Sequence, residues 1–192
     1  MHRRAELVEG TRLRITEAAI RLHTTIGPAN TTISNVAEEA GVTRLTVYRH
    51  FADLDVLFDA CRGHWLATHP PPDPAIWRAI DDLETRARSA LGLLYGWYRE
   101  NADDLLPINR DESSMPAGAQ RARAQQALKL ADALVAGHAG DDRGGRALRA
   151  VAGHLTSYWT WRSLEVDQGL APREVVDVTV RLLMAAAETP AT

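Results

Sequence analysis

Apolar side chains recur at spacings of three and four along almost the whole chain, and no stretch sustains the alternation of β-branched residues with hairpin turns that a sheet requires. That periodicity suits helices and cannot serve strands, so it restricts the chain to an all-α fold. Leu13, Ile15, Ala18, Ala19 and Leu22 mark a first helix, which ends near Ile26-Gly27-Pro28 because glycine admits a left-handed backbone and proline blocks continuation. A short second helix follows, capped by Thr32, with Val36, Ala37 and Ala40 on its inner face and Gly41 in the turn that closes it. A third begins at Thr43. Leu54, Leu57, Phe58, Cys61 and Trp65 predict a fourth helix to about Thr68, where His69-Pro70-Pro71-Pro72 stops it and marks a domain boundary. Beyond it the pattern predicts a long helix from Pro74, its inner face Trp77, Ile80, Leu83, Ala87, Leu91, Leu94, Tyr95 and Tyr98, then a break bracketed by Pro107 and Pro116. A helix over 117–136, a loop over 137–145 and helices around 147–167 and 172–188 complete the expectation.

The chain has 192 residues, 45% hydrophobic and 24% charged, an ordinary globular composition with enough apolar material for a core. Its one cysteine, Cys61, excludes an internal disulfide and, by itself, a zinc site, and its helix-face neighbours make it a buried packer. No window has the apolar length of a signal peptide or membrane span, so a cytoplasmic protein with no membrane partner is expected. The net charge of −3 supplies no basic field, and residues 1–68 hold eight arginines against eight acids. Nucleic-acid binding therefore requires that the positive residues be segregated onto one face.

The second and third helices have the spacing of a helix-turn-helix: Ala37 is small where two helices cross, Gly41 supplies the turn, and Val47 and Phe51 anchor the third helix from beneath. With Thr43 capping it, that helix turns Arg44, Leu45, Thr46, Tyr48, Arg49 and His50 outward. Arginine can bond guanine O6 and N7 bidentately, which makes Arg44 and Arg49 the candidates for base reading, while Leu45 and the methyl of Thr46 suit the thymine methyl. Thr32 and Ser34 at a helix start, with Thr43, Tyr48 and His50, can position phosphates. Arg3 and Arg4, with Arg12 and Arg14, read as a basic N-terminal arm for the same duplex.

The run Thr31-Thr32-Ile33-Ser34-Asn35-Val36-Ala37-Glu38-Glu39-Ala40-Gly41-Val42-Thr43, with Tyr48-Arg49-His50-Phe51 in register, resembles the DNA-binding region of TetR-family regulators over roughly residues 11–58. The resemblance implies a homodimeric transcriptional regulator, most simply a repressor, that binds a pseudo-palindromic double-stranded operator and whose C-terminal domain takes a small ligand that lowers DNA affinity. Two positions depart from the family pattern. Leu45 stands where glycine is common, and Leu54, flanked by Asp53 and Asp55, stands where a lysine usually contacts phosphate.

The expected organisation is a helix-turn-helix DNA-binding domain over 1–53, a connecting helix over 54–69, and a helical ligand-binding and dimerisation domain over 70–192. The last helix is apolar on two stripes, one with Val175, Val178, Leu182 and Ala186, the other with Val176, Val180, Leu183 and Ala187, and the helix before it shows the same doubling. So wide an apolar arc suits a symmetric dimer through the last two helices. Trp77, Tyr95, Tyr98, Met115, His154, Tyr158 and Trp159 are candidates for lining a pocket for a small apolar or aromatic ligand. No His-Glu-x-x-His, Cys-x-x-Cys or Gly-Lys-Ser/Thr unit occurs, so neither an enzyme, a metal site nor a cofactor is expected. The competing reading is a helical small-molecule binder that does not use DNA.

Overall fold

The structure, a computed structural model, describes residues 2–188, with side chains from Glu6 onward. The described residues form ten α-helices and no strand: α1 His2–Thr25, α2 Ile33–Glu39, α3 Arg44–His50, α4 Leu54–Thr68, α5 Leu83–Glu100, α6 Ala102–Arg110, α7 Ala117–Leu134, α8 Arg143–Leu155, α9 Tyr158–Trp161 and α10 Pro172–Ala187. They divide into two compact units. One runs to Pro70 and takes in Asn101–Ala122; the other holds Pro71–Glu100 and everything from Arg123 on.

In the first unit, α1 packs against α2, α4 and α6. Ile15, Ala18 and Ala19 lie one above another on its inner face and meet Val36, Ala37, Val47, Phe51, Leu57 and Cys61 in one buried cluster. Burial pushes the Cys61 thiol up to about 12, so it packs as a small hydrophobe and is unreactive. The turns fall where the sequence predicts: Gly27 has φ of 89° between α1 and Pro28, and Gly41 has φ of 64° between α2 and α3. Residues 101–122, beyond the proline run, join this unit through polar contacts distant in sequence. The buried Asp111 carboxylate accepts the Ala29 N–H at 3.1 Å, and Asp55 accepts the Gly118 N–H at 2.8 Å.

In the second unit α10 packs against both α5 and α8. Val175, Thr179, Val180 and Leu183 meet a core that includes Ala87, Leu91, Leu94, Leu148, Ala152 and Leu155, and all are buried. Two helix ends inside this core are satisfied by side chains. The hydroxyls of Tyr95 and Tyr98 donate to the carbonyls of Leu155 and Thr156, at 2.6 and 2.8 Å, where α8 stops. The buried Arg86 guanidinium donates to the carbonyl of Ala136, at 2.5 Å, just past α7. Each bond removes an orphan carbonyl that burial would otherwise penalise by about 1–3 kcal/mol.

Four element boundaries differ from expectation. The expected arm before Leu13 is helical from His2, because its residues are mostly good helix formers and contain no proline. The helix predicted from Pro74 starts at Leu83, where Asp82 accepts the Thr85 N–H at 2.8 Å; Pro74 opens only a turn, closed by the Ile76 N–H on the Asp73 carbonyl at 3.3 Å, and Trp77–Ala79 follow as a 3₁₀ turn. Pro107 lies inside α6 and does not open a break there; the interruptions fall at Asn101 and after Arg110. The helix expected over 147–167 is broken at Thr156 and Ser157, where Ser157 Oγ accepts the Trp159 N–H at 3.2 Å and restarts it as α9, followed by a π-helical turn, Arg162–Asp167.

Candidate nucleic-acid interface

Each helix of the helix-turn-helix pair is closed by a local device. Thr32 caps α2 in a reciprocal box: its Oγ accepts the Asn35 N–H at 3.1 Å while Asn35 Oδ1 accepts the Thr32 N–H at 3.0 Å. The Thr32 hydroxyl also donates to Asn35 Oδ1 at 2.5 Å, so it is committed to the cap. Thr43 caps α3 by accepting the Thr46 N–H at 3.2 Å, and its hydroxyl lies 2.9 Å from that of Thr46. Asn35 escaped the sequence reading, although Thr-x-x-Asn is a legible variant of the box.

Val47 and Phe51 are 1% and 2% exposed, which fixes the rotation of α3 and leaves Arg44, Leu45, Tyr48 and Arg49 on the outside. Thr46 and His50 are half-buried at its margins. Leu45 and Tyr48 are 61% and 55% exposed beside the two arginines. Arg44 reaches only the Ser34 hydroxyl, at 3.5 Å, and Arg49 has no hydrogen bond or ion pair among the described residues. Two guanidiniums and two apolar groups thus share a seven-residue helix whose opposite face is locked into the core.

Three of the nearby acids are engaged elsewhere, while Glu38 is exposed on α2. Glu39 pairs with Arg21 at 2.9 Å, on the side of α2 turned toward α1. Asp53 caps α4 by accepting the Val56 N–H at 2.9 Å, and Asp55 holds Gly118. The acids flanking Leu54 therefore have structural reasons to be there, and Leu54 itself is 49% exposed.

Arg12, expected in the basic arm, is turned inward. Its guanidinium donates to the carbonyl of His50 at 2.5 Å and lies 4.2 Å from the centre of the Phe51 ring, so it ties the end of α3 to α1. The Arg3 and Arg4 side chains lie outside the described residues.

The expected ligand set divides between the two units. Met115 is buried in the first unit, and the other six residues belong to the second. There Tyr98, Tyr158 and Trp161 form an aromatic cluster, with the Tyr98 and Tyr158 rings edge to face at 5.6 Å. The hydroxyls of Tyr95 and Tyr98 are spent on the end of α8, and burial raises both their pKa values. Trp77 is fully buried, with its indole N–H unpaired among the described residues, whereas His154 is exposed and Trp159 is 45% exposed.

Residues 15–61 match the family described as bacterial regulatory proteins, tetR family. No match is found among curated proteins. Among solved structures the chain is similar to the multidrug binding protein EbrR complexed with imidazole, at 25% identity over 94% of this chain and 92% of that one, with a TM-score of 0.58. It is also similar to NalD of Pseudomonas aeruginosa, the secondary repressor of the MexAB-OprM multidrug efflux pump, at 20% identity, covering 93% and 96% of the two chains, with a TM-score of 0.56. RolR in complex with resorcinol shares the fold at 19% identity and a TM-score of 0.52, with 98% of each chain covered.

Proposed function

We propose that this chain, which belongs through residues 15–61 to the tetR family of bacterial regulatory proteins, is a ligand-responsive repressor that binds a pseudo-palindromic operator as a homodimer. The match of residues 15–61 to a family of bacterial regulatory proteins supports a DNA-binding transcription regulator in place of an enzyme. The observation that carries the finer reading is the exposed face of α3, where Arg44 and Arg49 stand without a carboxylate partner beside Leu45, Thr46 and Tyr48. Arg49 and Arg44 read bases; Ser34, Tyr48 and His50 position the phosphates, with Thr32 and Thr43 holding the helix starts at the backbone. Arg3 and Arg4 add sequence-independent attraction, and the second unit takes a small apolar or aromatic ligand. EbrR with imidazole and RolR with resorcinol support a small ring compound as the type of effector. No helix of the described residues is long and apolar enough to cross a membrane.

The test is selection of a random duplex library by the purified full chain at physiological salt. An enriched inverted repeat is expected. Arg49→Ala should then lose about 1–3 kcal/mol of affinity and relax the preference at one position in each half-site. A folded protein that enriches no sequence, with or without small-ring effectors, would overturn DNA reading and leave the helical small-molecule binder.

A further inference from the structure

The first unit contains a cleft of about 220 Å³ that the reading of DNA does not use. Its walls come from four places in the chain: His23 on α1, Val36 on α2, Leu57 and Phe58 on α4, and Met115 just before α7. They are apolar except for His23, two threonines and the exposed Ser114 at the rim, and the threonine hydroxyls are already committed, Thr31 to the Gly27 carbonyl and Thr32 to its cap, which leaves His23 as the buried polar group. His23 is 5% exposed, and its ring stacks on Phe58 with centroids 4.4 Å apart. Neither of its ring nitrogens has a hydrogen-bond partner among the described residues.

An imidazole without a protein partner, its nitrogens not sealed from the cleft, takes its hydrogen bond from a water or a ligand. The volume decides the size of the occupant. Apolar cavities of about 150 Å³ take up benzene, whereas drug-sized ligands need about 300 Å³ or more. The walls decide its character: one aromatic face, aliphatic and thioether groups, and one buried polar handle, with the Ser114 hydroxyl at the exposed rim, suit one ring carrying one hydrogen-bonding group. An ionised ligand is disfavoured, because no cationic side chain lines the cleft and desolvation holds His23 neutral, its pKa lowered to about 4.

We propose that the cleft between α1, α2, α4 and Met115 is a binding site for a small neutral phenol, its ring against Phe58 and its hydroxyl on His23. The site belongs to the DNA-reading unit itself and is distinct from the effector site proposed for the second unit. Its occupant touches the first turn of α2 and the start of α4, the helices that precede and follow α3 in the chain.

The test is a titration of the full chain, without DNA, with phenol, followed by NMR of ¹³C-labelled methionine methyls. Met115 lines the cleft, and Met184 in α10 is an internal reference. A saturable shift of Met115 is expected, with a Kd on the order of a millimolar, while Met184 stays fixed. Benzene, and phenol with His23→Phe, should each bind about five- to tenfold more weakly, the loss of one hydrogen bond. Ser114→Trp, an exposed lining position, should abolish the Met115 shift and covers the case in which His23→Phe does not fold. An unmoved Met115 would mean that the cleft holds water only and would overturn the proposal. So would a shift that is equal for phenol and benzene, or indifferent to both substitutions. Because no DNA is present, failure here leaves the operator reading standing, and failure of the operator selection leaves this site standing.

Discussion

His23 is costly to protonate where it sits. Burial without a hydrogen-bond partner lowers its pKa from 6.5 to about 4, and no other titratable side chain lines the cleft beside it. The unfolded chain takes up this proton near pH 6.5, and the folded chain refuses it until about pH 4. Folding stability from this residue is therefore complete above pH 6.5 and is lost as pH falls through that window. The shift corresponds to about 3 kcal/mol between its two ends. Urea unfolding at about pH 7 and about pH 4.5 should show a smaller loss for His23→Phe than for the native protein; equal losses would place the acid sensitivity on other groups. Arg12 makes a second prediction at this scale. Arg12→Ala removes a charged donor from the His50 carbonyl and a cation from the Phe51 ring, at a cost of about 1–3 kcal/mol in thermal or urea unfolding. Arg12→Lys should recover only part of it, because an ammonium cannot lie flat on the ring while it donates to the carbonyl. An Arg12→Ala protein as stable as the native one would show that the contact is not maintained in solution.

The helix ends separate what a sequence reveals from what it conceals. Gly27, Gly41, Thr32 and Thr43 were legible because a cap or turn joins atoms at most a few residues apart, and residue type and spacing carry the whole signal. The rotation of α3 was legible for the same reason, since Val47 and Phe51 sit four residues apart on one face. The start of α5 was passed over because Pro74 looked like a first-turn proline, while the acceptor that begins the helix is Asp82. The break after α8 was hidden because it is stabilised from outside by two tyrosines sixty and fifty-eight residues away. The two turn glycines give a paired prediction. Gly41→Ala meets open space and should cost about 1 kcal/mol for its left-handed backbone alone. Gly27 has φ of 89° and ψ of 159°, a region confined to glycine, and a Cβ there would run into the Asp111 carboxylate that holds Ala29. Gly27→Ala should therefore lose at least about 2 kcal/mol more than Gly41→Ala in urea unfolding; equal losses would show that Asp111 gives way freely.

For the whole molecule, the sequence conveyed the all-α class and the reading unit but not the full extent of that unit. Residues 101–122 join it through the Asp111–Ala29 and Asp55–Gly118 bonds, which span 82 and 63 residues, and no local pattern announces a pairing so remote. Dimerisation is the expectation that rests most on surface character. On α10 the buried stripe is Val175, Thr179, Val180 and Leu183, which leaves Leu182 53% exposed at its margin, seven residues beyond Val175, and Trp159 at the start of α9 is 45% exposed. Leu182 and Trp159 are the bare large apolar groups on these two helices with which the proposed dimer surface can be tested. If a second copy covers that surface, Leu182→Glu sets a carboxylate against its own symmetry mate and splits the dimer, while the exposed position spares the fold. Sedimentation at low micromolar concentration should then change from dimer to monomer with the circular dichroism of the helices intact. Affinity for an inverted repeat should fall by about 10²–10⁴, because the second head is no longer delivered at high effective concentration, whereas binding to an isolated half-site should be unchanged. A Leu182→Glu protein that remains dimeric would move the interface off this face of α10, and one that is monomeric yet binds the full repeat as tightly as before would separate dimerisation from operator recognition.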